Sequence, residues 1–241
     1  MIRVHLRNLK VARAVALSGA LVVALLITSA IPASGIAATL PAGHVAACER
    51  LQGFIVPASE IGLPTSGAAV TAVKPVAAGG SGATALPEYC EVTGKISPLD
   101  RSAPDIQFKV ALPAQWNDKV VMFGGGGFDG TIPNVAGNVP NGPVDQPVPL
   151  GRGYATFASD SGHQANALAS QDGRFGLNDE AVRNFGGDAL KKTHDAALAI
   201  IKARYAHVPR KAYFAGGSTG GREAVTAIQR WPSDWDGAIA W

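Results

Sequence analysis

The sequence predicts an α/β fold, with a mostly parallel sheet covered by helices. Short strands apolar throughout, helices alternating with them from Asp118 onward, and a glycine-rich turn joining one such strand to one such helix support this. Strands without a polar face are buried on both sides, the condition of a parallel sheet between helix layers.

Taken in order, the elements begin after a segment that stands apart. Arg3, Arg7, Lys10 and Arg13 form a basic head, and "AVALSGALVVALLITSAI" (Ala14–Ile31) is an uncharged run followed by the small residues "PASGIAA". That layout predicts a secretory signal over residues 1–38, cut between Gly35 and Ala38. The run also has the length of an uncleaved membrane anchor. The segment holds four of the 21 basic residues and none of the 18 acidic ones, leaving 17 basic against 18 acidic in residues 39–241. No basic patch survives, which excludes nucleic-acid binding on electrostatic grounds.

"HVAACERLQGFI" (His44–Ile55) reads as a short helix, and "AAVTAVKPV" (Ala68–Val76) as a strand. A small-residue loop separates it from "YCEVTGKI" (Tyr89–Ile96) and "IQFKVALP" (Ile106–Pro113), both alternating or β-branched. "KVVMF" (Lys119–Phe123) is a buried strand that runs into "GGGGFDG", and a Pro/Asn/Gly-rich loop covers 131–151. "YATFASD" (Tyr154–Asp160) is the next strand. A helix follows over Asp188–Ala206, with Leu190, Ala197, Ile201 and Tyr205 on one face. "KAYFAG", the helix "REAVTAIQRW" and the strand "GAIAW" close the chain. The last is an apolar strand that stops mid-pattern, and this predicts the first part of a longer protein.

Cys48 and Cys90 are the only cysteines. In an exported chain an even pair favours a disulfide, with two buried thiols as the alternative. Neither has a His or Cys at metal-ligand spacing, so no metal site is expected.

The chemistry concentrates at Gly216-Gly217-Ser218-Thr219-Gly220, a G-x-S-x-G match with a strand before it and a helix after it. A serine on such a bend has strained backbone angles, and the residues two before and two after it nearly touch, so glycine at both removes clashing Cβ atoms. The bend exposes the hydroxyl near the positive end of the following helix. Ser218 is thus a candidate nucleophile, and the Thr219 N–H a candidate oxyanion donor. The plainer alternative is a turn that merely caps the helix. Gly124–Gly127 follows an earlier strand, where an α/β-hydrolase places its second oxyanion donor; Gly126 and Gly127 are the candidates.

The base is missing. In α/β-hydrolases the order is Ser, then Asp or Glu, then His. After Ser218 come Glu223, Asp234 and Asp236 but no histidine. Upstream, Asp160 and His163 sit three apart just past a strand end and are candidates for organising a loop near the site. His194 lies on the buried helix stripe, His207 suits a helix carboxyl end, and His44 is expected to be exposed.

"YCEVTGKI", "IQFKVALPAQWNDKVVMFGGGGF", "GYATFASDSGHQ" and "YFAGGSTGGREAVTAIQRWPSDWDGAIA" together resemble the tannase and feruloyl esterase family. The resemblance implies a secreted α/β-hydrolase that cleaves small aromatic-acid esters, with Ser218 as nucleophile, Thr219 in the oxyanion hole and an early Cys48–Cys90 bridge. It places the catalytic Asp and His downstream of Trp241, along with a lid carrying a calcium site, so residues 39–241 would be the amino-terminal part of the catalytic domain and hold no cofactor themselves. After signal cleavage no membrane partner is expected. Such proteins usually have a cysteine before the nucleophile; here Gly217 stands there. The rival readings are an inactive fragment or exported binding protein on the same fold, and a serine peptidase or acyltransferase.

Overall fold

The computed structural model describes residues 40–166, 168 and 171–241; the predicted signal over residues 1–38 lies outside them. The strands are β1 (Ile55–Val56), β2 (Ala68–Val76), β3 (Tyr89–Ile96), β4 (Ile106–Pro113), β5 (Lys119–Phe123), β6 (Ala155–Ser159), β7 (Lys211–Gly216) and β8 (Gly237–Ala240). The α-helices are α1 (Ala42–Glu49), α2 (Asp179–Arg183), α3 (Ala189–Tyr205) and α4 (Thr219–Arg230).

All eight strands form one sheet in the order β1-β2-β3-β4-β6-β5-β7-β8. The expectation of a mostly parallel sheet needs correction. β1 to β4 and the β4–β6 pair are antiparallel, and only β6, β5, β7 and β8 run parallel. The reason is connection length. β3 and β4 are joined by the nine-residue span 97–105 and β2 and β3 by twelve residues, with no crossover helix in either link, so the chain turns back on itself.

The two faces are also covered differently. Val120 and Met122 of β5, Ala155 and Phe157 of β6, and Ala212 and Phe214 of β7 pack with Cys48 and Leu51, with Leu190, Ala197 and Ile201 of α3 and with Ala224 and Ala227 of α4. The residues between them, Val121, Phe123, Ala158 and Ala215, face the opposite way against Val135, Val139 and Leu150. So α1, α3 and α4 line one face, while the irregular 131–151 segment lines the other. Helices on both faces were expected from the uniformly apolar strands, and a buried loop meets the same hydrophobic requirement. A cavity of about 430 Å³ opens between this loop and the sheet, lined in part by Val121, Val139, Tyr154, Tyr213 and Ile239.

Local packing explains individual residues. Gly94 on β3 pairs with Phe108 on β4, and a Cβ there would stand 2.3 Å from Phe108 Cζ. The ring fills the space that glycine leaves. His44, expected to be exposed, is buried in α1, with Nδ1 3.4 Å from Arg204 Nη2. Its helix is pinned to the sheet, since Cys48 of α1 and Cys90 of β3 form a disulfide with Cα atoms 5.5 Å apart. Cys48→Ser or Cys90→Ser is expected to cost about 2–5 kcal/mol in chemical denaturation, with the reduced wild type matching the variants.

Candidate active site

The parallel half of the sheet creates the site. From β5 the chain crosses to β6 on one side, then through α3 to β7 on the other. The carboxyl end of β5 is therefore a topological switch point, where open α/β sheets leave a crevice. The tetraglycine loop leaves β5 there, the 160–163 loop leaves β6, and the serine turn leaves β7.

Ser218 is exposed, at φ 55° and ψ −121°, immediately before the first residue of α4. A non-glycine residue in that region stores of order 1–3 kcal/mol and persists only where its surroundings enforce it. The enforcement is visible. A Cβ on Gly216 would lie 2.1 Å from the Gly220 carbonyl oxygen, and one on Gly220 would lie 2.9 Å from the Gly124 carbonyl carbon. The Ser218 N–H donates to the Trp241 carbonyl at 2.8 Å. Gly217, the position of the absent cysteine, packs on the Trp241 indole, where a Cβ would stand 2.7 Å from Nε1.

The tetraglycine loop is locked to this turn. Gly220 N–H donates to the Gly125 carbonyl at 3.1 Å, and Thr219 Oγ1 donates to the Gly127 carbonyl. Gly124 N–H is taken by the Ala215 carbonyl and Gly125 N–H by Glu223 Oε2 at 2.9 Å. The N–H groups of Gly126 and Gly127 have no partner among the described residues, nor does that of Thr219, which opens α4.

Asp160 and His163 are both buried near this crevice but are not hydrogen-bonded to each other. Asp160 accepts from Gln107 N–H, Gly162 N–H and Gln164 Nε2, shaping the turn, while burial pushes its carboxyl up to about 6. His163 stacks on Phe175 with ring centroids 4.2 Å apart, and burial lowers its pKa, so it is neutral within an aromatic cluster. None of the described histidines hydrogen-bonds Ser218: His194 faces Asp195, His207 faces Asp118, and both ring nitrogens of His163 are unpartnered.

The three downstream acids are likewise engaged elsewhere. Asp234 pairs with Lys191 at 2.7 Å, and Asp236 pairs with Lys211 and Ala212 N–H. His194, Asp195 and Asp234 do approach one another as metal ligands would, yet Lys191 Nζ bridges the two carboxylates at 3.0 and 2.7 Å and supplies the cation itself. Glu223 is 2% exposed and accepts from Gly125 N–H and from Ser161 Oγ at 2.9 Å each. Beside it lies Asp129, 1% exposed. Burial first, and then the neighbouring Glu223 charge, push the Asp129 carboxyl up to about 8. This pair escaped the sequence reading as a unit. One signal was present: Glu223 falls on the buried stripe of α4 with Gly220, Ala224 and Ala227, an anomalous place for a charge.

A mixed sheet with its crevice at the β5 switch point and a glycine-flanked serine bend defines an α/β-hydrolase. Residues 90–241 match the family described as tannase and feruloyl esterase, and the chain belongs to that family. It is 43% identical over 200 residues to an uncharacterized esterase of Agrobacterium fabrum, covering 83% of this chain and 35% of that protein. To the mono(2-hydroxyethyl) terephthalate hydrolase of Piscinibacter sakaiensis it is 34% identical over 178 residues, covering 71% of this chain and 29% of the other. Feruloyl esterase B from Aspergillus oryzae superposes with a TM-score of 0.60 at 24% identity, over 81% of this chain and 36% of that one. The chain spans about a third of the length of the curated relatives it matches. No described helix is long and apolar enough to cross a membrane.

Proposed function

We propose that this chain is the amino-terminal part of a secreted or periplasmic serine ester hydrolase acting on small aromatic-acid esters. The observation that carries the reading is Ser218 held at φ 55° beside N–H groups of Gly126, Gly127 and Thr219 that have no partner among the described residues. Ser218 Oγ attacks the ester carbonyl, the carbonyl oxygen becomes an oxyanion facing those N–H groups, and the alcohol leaves with a proton. Water then attacks the acyl-serine, releasing the acid and restoring the hydroxyl. The proton is carried by an acid–histidine pair, as the Ser, acid, His order of α/β-hydrolases requires, and none of the described histidines hydrogen-bonds Ser218.

The aromatic-acid preference draws support from relatives whose names specify feruloyl esterase and mono(2-hydroxyethyl) terephthalate hydrolase. Export draws support from the charge and hydropathy of residues 1–38 and from the Cys48–Cys90 bridge. The proposed chemistry requires no cofactor from this chain. A labelled fluorophosphonate tests the reading: the longer protein is expected to label at Ser218 and the Ser218→Ala variant not at all. An unlabelled longer protein would instead be a binding protein. Faster turnover of peptide amides than of methyl ferulate or gallate would make it a peptidase.

A further inference from the structure

Three segments that leave neighbouring strands meet at one buried side chain. Glu223 lies five residues past Ser218 on α4, takes the Gly125 N–H from the β5 loop and takes the Ser161 hydroxyl from the β6 loop. Asp129 closes the far side of the same glycine. A Cβ on Gly125 would stand 2.1 Å from Asp129 Oδ1, and one on Gly124 would stand 2.9 Å from Glu223 Oε2. The two carboxyls thus grip the first half of the tetraglycine loop, whose second half carries the free donors.

As two carboxylates this arrangement is unsatisfied. Both oxygens of Asp129 are buried with no hydrogen-bond partner among the described residues: the nearby Ser161 hydroxyl is directed to Glu223, and the carboxyl facing Asp129 is another acceptor. Buried polar atoms left without partners are rare and costly, and two adjacent buried negative charges are more so. One proton removes the facing charges and gives one Asp129 oxygen a partner. Each Glu223 oxygen has a lone pair left after accepting once, so a protonated Asp129 can donate to it.

We propose that Asp129 and Glu223 share one proton, and that this acid–carboxylate pair is the positioning device that aims the Gly126 and Gly127 N–H groups at the ester oxyanion. The loop role rests on the proposed function above; the pair itself does not. Loss of the proton leaves two facing carboxylates beside Gly125 and releases the loop. The charged groups that face Asp129 are Glu223 and Arg222, both from α4. The β6 loop offers neutral Ser161, while the Asp160 carboxyl is turned to Gln107, Gly162 and Gln164. Asp129 binds its proton more tightly folded than unfolded, so the pair's own contribution to stability is fully present below the ordinary carboxylate range. It falls as pH rises from the ordinary carboxylate range through the raised value of the pair, and activity has an alkaline limb in the same place.

Two measurements on the full-length protein test this. Infrared spectroscopy without substrate is expected to show a protonated-carboxyl carbonyl band at neutral pH that bleaches on alkaline titration and is missing from Asp129→Asn. In ester turnover, Glu223→Ala is expected to lower kcat ~10²-fold with little change in KM, the cost of a misplaced donor loop. Glu223→Gln should recover most of that loss. Asp129→Asn supplies the hydrogen permanently and should flatten the alkaline limb. A Ser218 that labels in a protein with no such band overturns the shared proton and leaves the nucleophile standing. A band that behaves as expected with an alkaline limb unchanged in Asp129→Asn overturns the positioning role. A band in a protein whose Ser218 does not label overturns the catalytic reading, and the loop role with it.

Discussion

Ser218→Ala in the full-length protein is expected to lower ester turnover by ~10⁴–10⁶-fold, leaving only the residue of catalysis that an oxyanion hole and binding provide. The substitution removes one oxygen from an exposed site that no described side chain hydrogen-bonds, so the unfolding transition should hardly move. A companion variant sharpens the point. Ser218→Gly also lacks the nucleophile, yet glycine occupies φ 55°, ψ −121° without penalty. It is expected to be equally inactive and more stable by about 1 kcal/mol or more. Inactivity joined to a gain in stability marks a residue kept strained for its chemistry. A Ser218→Gly protein that unfolds earlier than wild type would show that the bend is an ordinary helix cap.

Gly216→Ala is expected to have the largest effect on folding of any single methyl in the crevice at the β5 switch point. The added carbon would stand 2.1 Å from the Gly220 carbonyl oxygen and 2.3 Å from its carbon, and neither is the tip of a side chain that can swing away. To fit, β7 and α4 must separate, which breaks the Gly220–Gly125 hydrogen bond and detaches the tetraglycine loop. A loss of about 3 kcal/mol or more is expected from overpacking of this kind, read as a lowered midpoint in urea, with fluorophosphonate labelling lost in parallel. Gly126→Ala is the control, because a Cβ there meets nothing within 4 Å. Its midpoint should stay within about 0.5 kcal/mol of wild type.

The contrast between these two glycines also shows what the amino-acid sequence made legible. The serine bend was readable because one steric requirement, near-contact of residues 216 and 220, leaves glycine as the only solution and writes it at fixed spacing. Strand identity was readable for the same reason: side-chain alternation and apolar runs are local properties, and β2 to β5 lie where the pattern placed them. Strand direction is not local. β3 and β4 look like any half-buried strands, and only the short 97–105 link, with no room for a crossover, sets them antiparallel. The covering of the second face by a loop was likewise hidden, since Val135, Val139 and Leu150 are scattered among prolines and glycines with no period to reveal them. Asp129 and Glu223 stand 94 positions apart, and no spacing rule joins them. Their partnership exists only once β5 and α4 are folded together.

The sulfur bridge between α1 and β3 sits in the antiparallel half of the sheet, whereas the tetraglycine loop, the 160–163 loop and the serine turn spring from the parallel half. That separation divides labour between anchorage and reactivity. Thiol reductants in the surroundings would thin the population of intact molecules while each survivor works at its full pace, so redox conditions would govern how much enzyme there is and not how fast it runs.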